Sequence, residues 1–213
     1  NEAIGILGLS GSGKSTLAKT IIKQYDNYSG ELKLYDKEIK DYKYIEYSSI
    51  VQHVNQDLLG SLNPKIKIKD ILFDLNKLIK KNKDVFNNLI FQYLQKLNLN
   101  PKVLDLYPIQ LSGGQRQRIL IVKSLLWSPK FLIMDEPVSS LDPYVQVEII
   151  DIIKKLKIER NLTLLVISHD INFIKKICER VCILENGQII EDGDVEEIIN
   201  SPKHKYTKNF LIN

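Results

Sequence analysis

The residues best equipped for chemistry stand near the start of the chain. Gly8-Leu9-Ser10-Gly11-Ser12-Gly13-Lys14-Ser15-Thr16 follows the spacing glycine, four residues, glycine, lysine, then serine or threonine. Glycines let successive amide hydrogens converge on phosphate oxygens, and a helix that begins at the lysine adds the positive end of its dipole. Gly8, Ser10, Gly11, Ser12, Gly13 and Thr16 therefore belong to a candidate phosphate cradle, in which Lys14 neutralises the β and γ phosphates and the Ser15 hydroxyl ligates magnesium. The pattern requires a strand before it and a helix after it. The apolar run 3–7 and the spaced apolar residues Leu17, Ala18, Ile21 and Ile22 predict both.

Two further segments carry chemistry. The apolar run 131–134 ends in Asp135-Glu136-Pro137, which places two carboxylates at the carboxyl edge of a sheet, where open α/β folds bind ligands. Asp135 is the candidate for the magnesium shell, and Glu136, one residue farther, for polarising the water that attacks a γ phosphate. Leu111-Ser112-Gly113-Gly114-Gln115-Arg116 opens another helix, with Ser112 as its cap and two glycines that admit a phosphate to the backbone. An ordinary capped helix is expected to have no need of Gly-Gly. Two phosphate-type sites with one set of carboxylates imply that the second site serves a nucleotide bound to another copy.

The remaining elements must position these groups. A turn at Ser29-Gly30 precedes a short hairpin through Leu32, Leu34 and Ile39, and 50–54 reads as a strand. Apolar residues spaced three and four apart predict helices over 68–80, 85–97, 144–158 and 171–178; strand-like runs fall at 131–134, 162–167 and 181–184. Asn186-Gly187 predicts a tight hairpin into 188–190. Alternating strands and helices imply a parallel sheet covered by helices. The expected organisation is one α/β domain, with core segments 1–56 and 127–213 interrupted by a mostly helical stretch, 57–126.

Composition excludes several classes. In 213 residues, 30 basic against 26 acidic side chains give a formal charge of +4, and 44% of residues are hydrophobic, which is ordinary globular usage. The most apolar stretch, 119–127, is interrupted by Lys123 and Ser124 and falls short of a membrane span. Basic residues are dispersed among acids, so a solvated face is the reading and no nucleic-acid partner is expected. Cys178 and Cys182 are the two cysteines; with no secretory leader in the sequence they read as buried thiols in a reducing compartment.

The segment 111–115 resembles the signature sequence of the ATP-binding cassette (ABC) family, and the other motifs follow in that family's order. Gly8 to Thr16 resembles Walker A; Gln56 the Q-loop glutamine; 132–136 Walker B with its catalytic glutamate; Ser140-Leu141-Asp142 the D-loop; His169, in Ile167-Ser168-His169-Asp170, the switch histidine. Gln56 is preferred to Gln52 because 54–64 resembles the form Val-Phe-Gln-Asp-Pro, two residues, Ser-Leu-Asn-Pro, with Asn55 for Phe and Leu58 for Pro. The resemblance implies an α/β P-loop NTPase core of the RecA-like kind with a helical insertion subdomain. It implies ATP and Mg²⁺ as ligands, Glu136, His169 and Gln56 as catalytic residues, and Ser15, Gln56 and Asp135 around the metal. Ser112, Gly113, Gly114 and Gln115 would reach the nucleotide of a second ABC ATPase subunit, and Asp142 would lie beside them. It also implies strands upstream of Gly8 with an aromatic platform for adenine. Only seven residues precede Gly8, so a truncated fragment is expected, with that platform outside it.

Tyr107-Pro108 and 201–207, with Lys205 where proline is usual, resemble the dipeptide, oligopeptide and nickel importers within the family. The expected setting is then the cytoplasmic face of the cell membrane, with transmembrane permease subunits, a homologous or identical second ATPase and an extracytoplasmic substrate-binding protein. The rival readings are a soluble cassette ATPase acting on ribosomes or nucleic acid, and a binding-only regulatory cassette. The stretch 57–126 is too short for the long coiled-coil insertion of the first, and the presence of Glu136 and His169 disfavours the second.

Overall fold

A computed structural model describes residues 2–58, 60–139 and 141–212. In chain order the elements are β1 (Ala3–Leu7), α1 (Lys14–Ile21), β2 (Lys33–Leu34), β3 (Lys37–Glu38), α2 (Tyr44–Ile50), β4 (Val51–Val54), α3 (Ile68–Asp74), α4 (Asn76–Ile79), α5 (Lys83–Lys96), α6 (Gly113–Leu125), β5 (Phe131–Asp135), α7 (Pro143–Arg160), β6 (Thr163–Ser168), α8 (Ile171–Ile177), β7 (Arg180–Glu185), β8 (Gln188–Asp194), α9 (Val195–Asn200) and α10 (Lys205–Ile212). Six strands form one sheet in the order β4-β5-β6-β1-β7-β8. All neighbours are parallel except the final pair, β7 and β8.

Helices cover both faces, which is why the inner strands are nearly all apolar rather than alternating. Ile6, Ile133, Leu165 and Ile167 point to the side where Ala18 of α1 and Tyr47 of α2 close a small core. Leu7, Leu132, Met134 and Val166 point to the opposite side, in a larger core shared with α3 and α5 to α9. This strand order sets the site. The carboxyl ends of β4, β5, β6 and β1 lie side by side, and the segments leaving them contain Gln56, Glu136, His169 and the loop that starts at Gly8.

Local structure departs from the sequence reading in identifiable places. The expected helix 68–80 is divided at Leu75 into α3 and α4, and α4 stops at Lys80, whose φ of 58° is left-handed. The next helix starts earlier than its apolar pattern, because Asn82 caps it by accepting from the Asp84 and Val85 amides. Residue 50 ends a helix rather than opening a strand: α2 runs straight into β4. Its sequence, Tyr-Ile-Glu-Tyr-Ser-Ser-Ile, is rich in aromatic and β-branched residues that mimic a strand. Tertiary contact overrides that preference, since Tyr47 is buried and its hydroxyl donates to the Ile21 carbonyl at 2.6 Å. Cys178 is buried as expected, whereas Cys182 on β7 is only half-buried, with its Sγ near Asp192. No helix among the described residues is long and apolar enough to cross a membrane.

Candidate functional site

The loop between β1 and α1 is shaped by two left-handed glycines, Gly11 at φ 82° and Gly13 at φ 105°, a conformation that costs other residues free energy. Gly8 is needed for a different reason: a Cβ there would lie 2.3 Å from the Leu184 carbonyl oxygen of β7. The far limb is held by the Gly187 amide, which donates to the Ser12 carbonyl at 2.9 Å. Asn186-Gly187 forms the tight turn between β7 and β8, with φ of 47° and 79°, the sign that a two-residue hairpin of type I′ demands. The hairpin legible in the sequence thus buttresses the candidate phosphate loop.

Lys14 starts α1 and folds back over the loop. Its ammonium donates to the carbonyls of Gly8 and Leu9, each at 2.8 Å, and stands 3.5 Å from the Ser12 hydroxyl. Burial pulls its pKa below the ordinary lysine value, while the Glu136 and Asp135 carboxylates act in the opposite direction. An anionic phosphate group beside this ammonium would favour its charged form further.

Asp135 ends β5 and is 3% exposed. Its Oδ1 is buried and has no hydrogen-bond partner among the described residues, an arrangement that costs free energy unless a ligand satisfies it. Glu136 follows at φ 49°, in a region where a residue with a Cβ is strained. Its amide donates to the Ile167 carbonyl of β6 at 2.9 Å. That reversal turns the Glu136 carboxylate toward β6, where Oε1 meets His169 Nδ1 at 2.7 Å. His169 itself leaves the end of β6, and Asp170 behind it caps α8 by accepting from the Asn172 and Phe173 amides. The Glu136 side chain is 10% exposed and that of His169 61%: a sheltered carboxylate meets an accessible imidazole.

Ser10, Gly11, Gly13, Lys14, Ser15, Thr16, Gln56, Asp135, Glu136 and His169, with Leu9, line one open cavity of about 460 Å³. Gly8 and Ser12 serve from behind, as the loop's close-packed base and as a buried hydroxyl near Lys14. Sequence spacing could not reveal the Glu136–His169 contact across 33 positions. Leu184, Gly187 and Tyr206, whose hydroxyl accepts from the Leu9 amide at 3.1 Å, support the loop and were missed for the same reason.

The signature residues lie apart from this cavity. Ser112 caps α6: its Oγ accepts from the Gln115 amide at 3.2 Å, and Gln115 Oε1 accepts from the Ser112 amide at 3.0 Å, the reciprocal capping box. The expectation that such a helix has no intrinsic use for Gly-Gly fails. A Cβ on Gly114 would stand 2.5 Å from Val145 Cγ1 of α7, and one on Gly113 3.2 Å from Leu141 Cδ2. The pair lets α6 begin against the start of α7, so part of its role is intramolecular packing. Asp142 caps α7, accepting from the Val145 amide at 3.1 Å, which ties the expected D-loop to the same junction. Ser140 lies outside the described residues.

Residues 1–139 match the ABC transporter family. Over 99% of its length the chain is 38% identical to the dipeptide transport ATP-binding protein DppF of Lactococcus lactis subsp. cremoris, covering 70% of that protein. It is 35% identical to the oligopeptide transport ATP-binding protein OppF of Bacillus subtilis, covering 71% of it. A methionine import ATP-binding protein, MetN 2 of Bacillus cereus, is 36% identical over 62% of its own length. Among solved structures, CbiO1 of Clostridium perfringens, part of the ABC transporter complex CbiONQ, superimposes with a TM-score of 0.82 at 28% identity, covering 94% of this chain and 80% of that one. The cassette MJ0796, seen as a post-hydrolysis dimer bound to ADP and phosphate, gives 0.78 at 25% identity, with 91% and 85% covered. A largely parallel sheet that delivers a glycine-rich loop before a helix and a buried carboxylate to its carboxyl edge has the architecture of a P-loop nucleotide-binding fold. The chain belongs to the ABC transporter family, as an ATP-binding subunit that hydrolyses ATP to ADP and phosphate.

Proposed function

We propose that this cassette powers an importer of peptides and that its ATP is enclosed between two cassettes. The observation that carries the reading is the division of the site. Lys14, Asp135, Glu136, His169 and Gln56 share one open cavity, while Ser112 to Gln115 form a capped helix start outside it. A triphosphate seated on Gly8 to Thr16 is then covered by Ser112, Gly113 and Gly114 of the facing cassette, with Asp142 at the seam. Glu136 accepts a proton from the attacking water as the γ phosphate departs. His169 keeps Glu136 oriented through Nδ1, and when both ring nitrogens bear protons Nε2 can donate to the γ phosphate. The oxygen set Ser15, Asp135 and Gln56 suits Mg²⁺, and the buried Asp135 Oδ1, without a hydrogen-bond partner among the described residues, fits that assignment; bound there, the ion would neutralise phosphate charge.

The segment 57–126 is proposed as a helical subdomain that, with the Gln56 loop, carries closure of the cassettes to membrane-spanning permease subunits at the cytoplasmic face. CbiO1 belongs to such a transporter complex, and MJ0796 forms a cassette dimer. Peptide cargo, delivered by an extracytoplasmic binding protein, is supported by the names of DppF and OppF and by the motifs at 54–64, 107–108 and 201–207. Methionine is the competing cargo, because MetN 2 is about as similar. In the assembled transporter, Glu136→Gln should slow turnover about 100- to 10,000-fold with ATP affinity retained; normal turnover would remove Glu136 from the chemistry. Stimulation of the reconstituted ATPase by a methionine-loaded rather than a peptide-loaded binding protein would overturn the cargo.

A further inference from the structure

The 201–207 motif has no part in the chemistry above, yet it occupies a defined place beside it. Ser201-Pro202-Lys203-His204-Lys205-Tyr206-Thr207 leads from α9 into α10. Its first anchor is Glu191 of β8, whose Oε1 accepts from the Lys203 amide at 2.6 Å. Both Glu191 and Thr207 are buried, at 8% and 0% exposure. Burial raises the Glu191 pKa, but the Lys203 amide and the neighbouring Thr207 and His204 groups outweigh it and hold the carboxyl below its usual range; among the described residues Glu191 Oε2 and the Thr207 hydroxyl are buried without a hydrogen-bond partner. The start of α10 is therefore fixed to the sheet by a buried carboxylate. One residue before Thr207, Tyr206 reaches the phosphate loop, where its hydroxyl accepts from the Leu9 amide at 3.1 Å. Its ring stacks on Phe210 one turn along α10, with centroids 6.1 Å apart.

Leu9 lies at a mechanically sensitive point. Its carbonyl accepts from Lys14 at 2.8 Å and from the Ser12 amide at 3.2 Å, so the same residue that closes the loop on itself is held from outside by Tyr206. We propose that Tyr206 is a positioning residue for ATP binding: through Leu9 it holds the phosphate loop in its nucleotide-ready shape, with the Lys203 amide on buried Glu191 as the anchor of that strap. This rests on the assignment of Gly8 to Thr16 as the ATP phosphate site. Tyr206 acts through the loop and does not touch the nucleotide in this scheme. The side chain of Leu9 is exposed, so water can replace the lost acceptor and the effect should be graded rather than total.

The test is Tyr206→Phe in the full protein, within its assembled transporter. Phenylalanine keeps the stacking on Phe210 and removes only the acceptor. The expected result is an ATP KM raised about 2- to 10-fold, the scale of one hydrogen bond exchanged with water, with kcat nearly unchanged and melting within about 2 °C of wild type. Amide hydrogen exchange at Leu9 should also quicken, a readout that a merely structural helix would leave alone. A second variant, Glu191→Met, removes the acceptor of the Lys203 amide without touching the loop and should raise KM in the same direction. Wild-type KM and wild-type Leu9 exchange in Tyr206→Phe would overturn the strap. Lys14→Ala separates the two ideas. Loss of ATP binding there, beside a silent Tyr206→Phe, condemns only the strap, whereas undiminished ATP binding in Lys14→Ala would bring down the phosphate site and the strap together.

Discussion

Gly114 is the residue whose packing and proposed contact with nucleotide can be separated by experiment. Alanine there would put a Cβ 2.5 Å from Val145 Cγ1, far inside the ~3.5–4.0 Å at which carbon atoms attract. Overpacking of this kind costs about 1–3 kcal/mol, and the better helix propensity of alanine offsets at most about 1 kcal/mol. A net loss of about 1–2 kcal/mol corresponds to melting about 2–8 °C lower in a chain of this size. In a Val145→Ala background the obstructing methyl is gone, and Gly114→Ala should then be neutral or stabilising by up to about 1 kcal/mol, a coupling in the range seen for residues in contact. The assay is urea unfolding of the four members of the cycle, with ATPase turnover measured alongside. Equal losses in both backgrounds would refute the packing role. If turnover stays depressed in the double variant after stability returns, the glycine also serves the facing cassette's nucleotide.

Two further outcomes follow from backbone and burial. Glu136 has φ of 49°, so Glu136→Gly should relieve strain and stabilise the fold by about 0.5–1 kcal/mol while abolishing most turnover; a loss of stability exceeding that amount in urea unfolding would show that the Glu136–His169 contact outweighs the strain. Burial, reinforced by Glu179 and opposed by Lys157, pushes the Cys178 thiol up to about 12, and only thiolate reacts. Below that pKa the folded protein keeps the thiol protonated, so alkylation at pH 8 should run more than about 100-fold slower than in urea; equal rates by mass spectrometry would contradict the burial.

The placing of the candidate phosphate loop and of the acidic strand end was legible because each is a short, local pattern: spacing fixes a turn into a helix at Gly8 to Ser15, and an apolar run fixes where Asp135 and Glu136 fall. The hairpin at Asn186-Gly187 was legible for the same reason, but not its amide on Ser12, which depends on β1 and β7 being neighbours in the sheet. The meeting of Glu136 with His169 depends likewise on strand order; the resemblance named both as catalytic but not their contact. Gly114 was read only as a point of approach for phosphate, because the crossing of α6 and α7 that demands it is a tertiary fact. α2 hid behind strand-like residues, while α9 begins at a cap, Asp194, that also ends β8. α10 carries little local signal; the Lys203 amide on buried Glu191 just before it and the Tyr206 hydroxyl on the Leu9 amide fix its place.

The division of labour between two cassettes is tested most directly by the structure of the transporter carrying Glu136→Gln, trapped with Mg·ATP. The prediction is a triphosphate on Gly8 to Thr16 of one cassette with Ser112 and Gly114 of the facing cassette against its γ phosphate. Density showing both residues in solvent, with the triphosphate fully enclosed by a single chain, would contradict it.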